Sequence, residues 1–95
     1  MKLARVLKQV VATEKHDSYV GQKLFIVKQV GLEGELMGGA IVAVDCVQAG
    51  VGDLVLLIQD GGSARLILGN SNAPIRSVIV GIVDAVELGE SSWNI

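Results

Sequence analysis

Apolar residues in this chain come in short, valine- and isoleucine-rich runs cut by glycine and charge. Runs of that kind predict strands joined by tight turns rather than amphipathic helices. The first covers Leu3 to Thr13. Its even positions are Ala4, Val6, Lys8, Val10 and Ala12, and its odd ones Leu3, Arg5, Leu7, Gln9 and Val11. Neither face is cleanly polar, which predicts partial cover on both sides. After the polar stretch Glu14 to Ser18, a second strand is predicted from about Gln22 to Val30. The glycine- and acid-bearing segment Gly31 to Gly39 reads as a connection, followed by a third strand, Ala40 to Val47. Ala49-Gly50-Val51-Gly52-Asp53 reads as a turn, its glycines serving backbone with positive φ. A fourth strand runs from Leu54 to Gln59.

Asp60-Gly61-Gly62 breaks that strand. Ser63 is placed to cap a short helix, Ala64 to Leu68, which Gly69-Asn70 closes. Asn72 to Pro74 is a loop, and the last strand runs from Val78 to Val86. Its segment Val78-Ile79-Val80-Gly81-Ile82-Val83 is apolar at odd and even positions alike, the pattern of a strand covered on both faces. The sum is a mainly β protein: a small five-stranded OB-like barrel with one short helix before the last strand. No internal repeat interrupts it. Residues 1–95 read as a single domain, with a core to about residue 88 and a C-terminal tail, 89–95.

Composition sharpens the picture. The chain has 95 residues, 51% of them hydrophobic, in 9.9 kDa. A folded chain of that mass exposes roughly 5,200 Å², so it hides this much apolar material poorly on its own. A membrane is one destination, but a spanning helix needs about 20 apolar residues. The longest run without a charge is Leu66 to Ile75, and it contains Gly69, Asn70, Ser71, Asn72 and Pro74. Lys2, Arg5 and Lys8 break any secretory pattern at the start. Burial against other subunits is the remaining expectation.

Charge adds an asymmetry. Residues 1–28 carry six lysines and arginines against two acids, whereas 29–95 carry two arginines against eight acids. Opposite signs at the two ends suit head-to-tail packing in an assembly. The net charge of −2 gives no basic footprint for nucleic acid. An oligonucleotide-binding barrel remains the alternative reading, yet such barrels use stacking aromatics in a basic groove. Only Phe25 lies in a strand, with Lys23 and Lys28 near it.

Chemistry is sparse. One histidine and one cysteine make no metal site within the chain, and no metal or cofactor is expected. His16 lies in the polar connection Lys15-His16-Asp17. It bears on catalysis only if it meets an acid across a subunit boundary. No serine sits in a nucleophile elbow. Cys46, in an apolar strand, reads as an inert small hydrophobe without a disulfide partner, which suits a reducing compartment.

Several segments in order carry a family likeness. They are Lys2-Leu3-Ala4-Arg5-Val6 running to Val10-Val11-Ala12-Thr13-Glu14-Lys15, and Gly21-Gln22-Lys23-Leu24. Val42-Ala43-Val44-Asp45-Cys46-Val47-Gln48-Ala49-Gly50-Val51-Gly52-Asp53-Leu54-Val55-Leu56 follows. Gly62-Ser63-Ala64-Arg65, Ala73-Pro74-Ile75 and Ile79-Val80-Gly81-Ile82-Val83-Asp84 complete the set. Together they resemble the EutN/CcmL family of bacterial microcompartment vertex proteins over nearly the whole chain. Lys8, Gln48, Gly61-Gly62-Ser63 and Ile75-Arg76-Ser77 depart from commoner family residues.

The resemblance implies a homo-pentamer without catalytic activity. It would cap the vertices of a polyhedral shell in the bacterial cytoplasm, beside hexameric shell proteins that form the facets. A ring leaves a small opening on its axis, and Gly61, Gly62 and Ser63 are the expected pore lining, since glycines let five backbones approach closely. Arg65 is expected to bridge to Asp45 or Asp60 of a neighbour, and Trp93 to dock on the barrel or on a neighbour.

Overall fold

In the computed structural model, residues 1–11, 22–59, 77–88 and 91–94 are described. Seven strands occur among them: β1 (Lys2–Val10), β2 (Lys23–Val30), β3 (Leu36–Asp45), β4 (Leu54–Ile58), β5 (Ser77–Ile82), β6 (Ala85–Leu88) and β7 (Ser91–Asn94). The first five close into a barrel in the order β1-β2-β3-β5-β4, with β4 returning to β1. All pairings are antiparallel except β3 with β5, which is parallel over Ala43–Ser77, Val44–Val78 and Asp45–Ile79. This is the five-stranded Greek-key order of an OB barrel. The predicted helix, Ala64 to Leu68, lies outside the described residues.

Alternation explains the interior. Ala4, Val6, Phe25, Val27, Ala43, Val55, Leu57 and Ile79 point inward and form one buried cluster with Ala49. Each large member contributes about 1.5–3 kcal/mol by leaving water. Leu24, Val44 and Val78 occupy the next register row across β2, β3 and β5 and are buried too, on the outer side. Two-faced burial therefore holds for this part of the wall. It does not hold for the far end of β5, where Ile82 is exposed.

Three of the barrel strands bend at irregularities. Leu7 is an extra residue between the pairs Val6–Val27 and Lys8–Ile26 and is exposed. In β3, Gly38 and Gly39 are extra between Ala40–Lys28 and Met37–Gln29, and Gly38 takes φ +71°, which its missing Cβ permits. β3 thus begins at Leu36, not at Ala40, because the glycine pair makes a bulge within a strand and not a loop. A third register shift separates Leu56–Gly81 from Leu57–Ile79.

The predicted strand Val78 to Val86 is two strands. The Val83 N–H donates to the Leu54 carbonyl at 2.8 Å, Asp84 bends, and the chain leaves the barrel. β6 and β7 then form a hairpin of their own, pairing Ala85–Asn94, Val86–Trp93, Glu87–Ser92 and Leu88–Ser91. The chain measures 46 × 25 × 23 Å and exposes 5740 Å², above the roughly 5,200 Å² of a compact monomer of this mass.

Candidate assembly interface

The loop from β3 to β4 is the most tightly bonded turn among the described residues. Asp45 ends β3 almost fully buried, and its carboxylate accepts hydrogen bonds from the Val47 and Ala49 amides. Gln48 between them adopts φ +60°, left-handed backbone in a non-glycine residue. The Gly50 N–H donates to Asp53 Oδ2 at 2.8 Å, and the Asp53 N–H returns to the Gly50 carbonyl at 3.1 Å. Gly52 carries the positive φ, +94°, that the glycine spacing predicts.

β1 clamps this loop. The Gly52 N–H donates to the Val6 carbonyl and the Val6 N–H to the Asp53 carbonyl, each at 2.9 Å, while Arg5 Nη1 donates to the Gly52 carbonyl at 2.9 Å. Asp45 is therefore a turn cap facing its own loop. Cys46 lies just beyond β3, exposed, rather than inside an apolar strand. Its N–H donates to the Ile79 carbonyl at 3.3 Å. Protein around its sulfur withholds enough water to push the thiol pKa up, and the Asp45 carboxylate adds to the rise. Gln22, Lys23, Asp45, Cys46 and Gln48 line a small polar cleft of about 320 Å³ here.

The other end of the barrel is apolar and open. Met1, Leu3, Val30, Leu32 and Met37 line a cleft of about 720 Å³, rimmed by Lys2, Glu33 and Glu35. Leu32, Leu36, Met37 and Val42 are exposed, and they crowd β3 and the turn before it. Exposed apolar side chains gathered this way mark an interaction surface. Reading 31–39 as a glycine- and acid-bearing connection misses Leu32, Leu36 and Met37. The signal that would have found Leu36 and Met37 is the nine-residue stretch Leu36 to Val44, which carries no charge.

Gly61, Gly62, Ser63, Asp60 and Arg65 lie outside the described residues, as does His16. Trp93 is placed through its backbone, opposite Val86 in the hairpin. Among the described residues no three His, Cys, Asp or Glu gather to hold a metal, and no helix is long and apolar enough to cross a membrane. Phe25, the aromatic on which a base-stacking reading of the barrel rests, is 2% exposed and belongs to the core, and Trp93 also falls in a strand, in the hairpin outside the barrel.

Barrel topology, capped loop and open apolar end define a small OB-like β-barrel built to pack against other chains. The family profile described as ethanolamine utilisation protein EutN/carboxysome matches residues 1–84, and this chain belongs to that EutN/CcmL family. The bacterial microcompartment shell vertex protein PduN of Salmonella typhimurium is 48% identical over 90 residues, covering 90% of this chain and 98% of PduN. The pentameric microcompartment shell protein GrpN of Rhodospirillum rubrum superposes with a TM-score of 0.80 at 39% identity, covering 93% of this chain and 99% of GrpN. CcmL of Nostoc sp. PCC 7120 superposes with a TM-score of 0.83 at 35% identity, covering 97% and 96%.

Proposed function

We propose that this chain is a structural subunit of pentameric vertices that close the polyhedral shell of a bacterial microcompartment. The observation that carries the reading is its 48% identity to a shell vertex protein over nearly the full length of both chains. The surface supports it: an apolar end and an exposed strand want neighbours, and head-to-tail contacts around an axis supply one to every copy. The reading includes no catalytic role. It places the ring in the bacterial cytoplasm, at the shell, against hexameric facet proteins. Gly61, Gly62 and Ser63 are proposed to line a narrow central pore, and Arg65 to reach an acid of the adjacent subunit.

Native mass spectrometry at micromolar concentration tests the assembly, with a discrete species of five chains expected. A monomer at that concentration overturns it. An oligonucleotide-binding role is disfavoured by the interior placement of Phe25 and the net charge of −2.

A further inference from the structure

A staggered barrel leaves strand edges unpaired where neighbouring strands end. β3 pairs with β2 along its length, but with β5 only from Ala43 to Asp45. From Leu36 to Val42 no described strand pairs with its second edge. The stretch Leu-Met-Gly-Gly-Ala-Ile-Val has no charge and no proline, and all of it is exposed except half-buried Ile41. Free edges of soluble proteins are normally blunted by lysine or proline, because they template pairing with another chain. The other barrel edges are poorer templates. β1 beyond Val6 carries Lys8, and the free part of β5, Val80 to Ile82, is three residues.

The hairpin has the complementary need. Two four-residue strands that join no other sheet make a marginal structure alone. Both outer edges are unpaired among the described residues, and β7, Ser91 to Asn94, bears no charge. Its own β3 edge is out of place for it. β6 leaves the barrel beside Leu54, at the end where β3 finishes. Leu36 lies nine positions back along β3, about 30 Å away, whereas a four-residue strand spans about 13 Å.

We infer that β7 of one copy adds as a strand to the Leu36–Val42 edge of the next, so that each subunit's hairpin completes its neighbour's sheet. The inference rests on the ring proposed above and names the contact that holds it. Such pairing is heterologous, donor arm to acceptor edge, and a rotation that closes it makes a ring with no edge left over.

Crosslinking tests it. A side chain at Gly39 meets nothing within 4 Å, so Gly39→Cys is sterically free. In a Cys46→Ser background it is combined in turn with Ser91→Cys, Ser92→Cys, Trp93→Cys and Asn94→Cys, and a short bismaleimide is added. At least one pair should give a denaturing-gel ladder from two to five linked chains, and neither cysteine alone should. Five-chain rings by native mass spectrometry with no ladder from any pair overturn the strand addition and leave the vertex reading standing. Two-chain bands from the single variants as strong as those from the pairs, with nothing larger from any pair, also overturn it, as random collision. Monomers by mass spectrometry overturn the vertex reading and the strand addition together.

Discussion

The Ala49 amide donates to both carboxylate oxygens of Asp45, at 3.2 and 3.1 Å, and the Val47 amide shares one of them at 3.1 Å. Ala49 is buried, so removing the acceptor strands an N–H away from water. Asp45→Ala should lower unfolding free energy by about 1–3 kcal/mol, and Asp45→Asn by less. Urea unfolding at a fixed chain concentration measures both. An unchanged midpoint and slope for Asp45→Ala would show that the cap is dispensable.

Gln48 and Gly52 bracket the same loop and predict opposite signs. Gln48 holds φ +60°, where glycine meets no Cβ clash, so Gln48→Gly should stabilise by up to about 1 kcal/mol. Gly52 holds φ +94°, so Gly52→Ala should destabilise by about 1–2 kcal/mol. Thermal melts of the two variants side by side decide the matter, and shifts of the same sign would contradict it.

Cys46 should react slowly despite its exposure. Burial around the sulfur, and secondarily the Asp45 charge, favour the protonated thiol. Iodoacetamide at pH 8 should alkylate it more slowly than a cysteine in an unstructured peptide, and Asp45→Asn should speed the reaction. Because the folded-state pKa is raised, the associated stability is present below the unfolded thiol's pKa. It is lost as pH rises through the folded value. The stability of Cys46→Ser should therefore fall less on the alkaline side than that of the parent. Identical alkaline profiles for the two proteins would refute the linkage.

Leu57 is fully buried in the barrel cluster. Leu57→Ala should cost about 2–5 kcal/mol, the span set by how far the site can collapse. Denaturant unfolding of the variant gives the value, and a loss under about 1 kcal/mol would mean the barrel wall closes over the gap.

Much of this architecture was legible in the alternation and the glycines. β2 and β4 lie within one residue of their predicted limits because apolar runs there end at charge or glycine. β3 was misread at its start, since Gly38-Gly39 signals a loop locally and only pairing with β2 reveals a bulge. The run from Val78 to Val83 looked uniformly buried, yet covering holds for Val78 and Ile79 and not for Ile82. Apolar composition alone does not locate the end of a barrel.

The site was less legible. The turn-capping role of Asp45 went unread, although an aspartate just ahead of a turn characteristically bonds backbone amides a few residues on, as it does here. Phe25 looked available for stacking, and the inward phase of β2 takes it away. The hairpin pairing Val86 with Trp93 left no alternating signal, its strands being only four residues long.

The parallel seam between β3 and β5 has a kinetic consequence. It joins Ala43 to Ser77 and Asp45 to Ile79, partners 34 positions apart in the chain, whereas the β1–β2 and β2–β3 ladders join partners 6 to 25 positions apart. Distant pairings form after local ones, because loop closure must precede their reward. The three-stranded meander of β1, β2 and β3 is therefore expected to assemble first and to wait for β5 with the Ala43–Asp45 edge and its inward-facing apolar residues uncovered. A chain held at that stage is prone to aggregate. Refolding at low chain concentration, followed by concentration to let subunits meet, should recover more soluble protein than refolding at high concentration from the start.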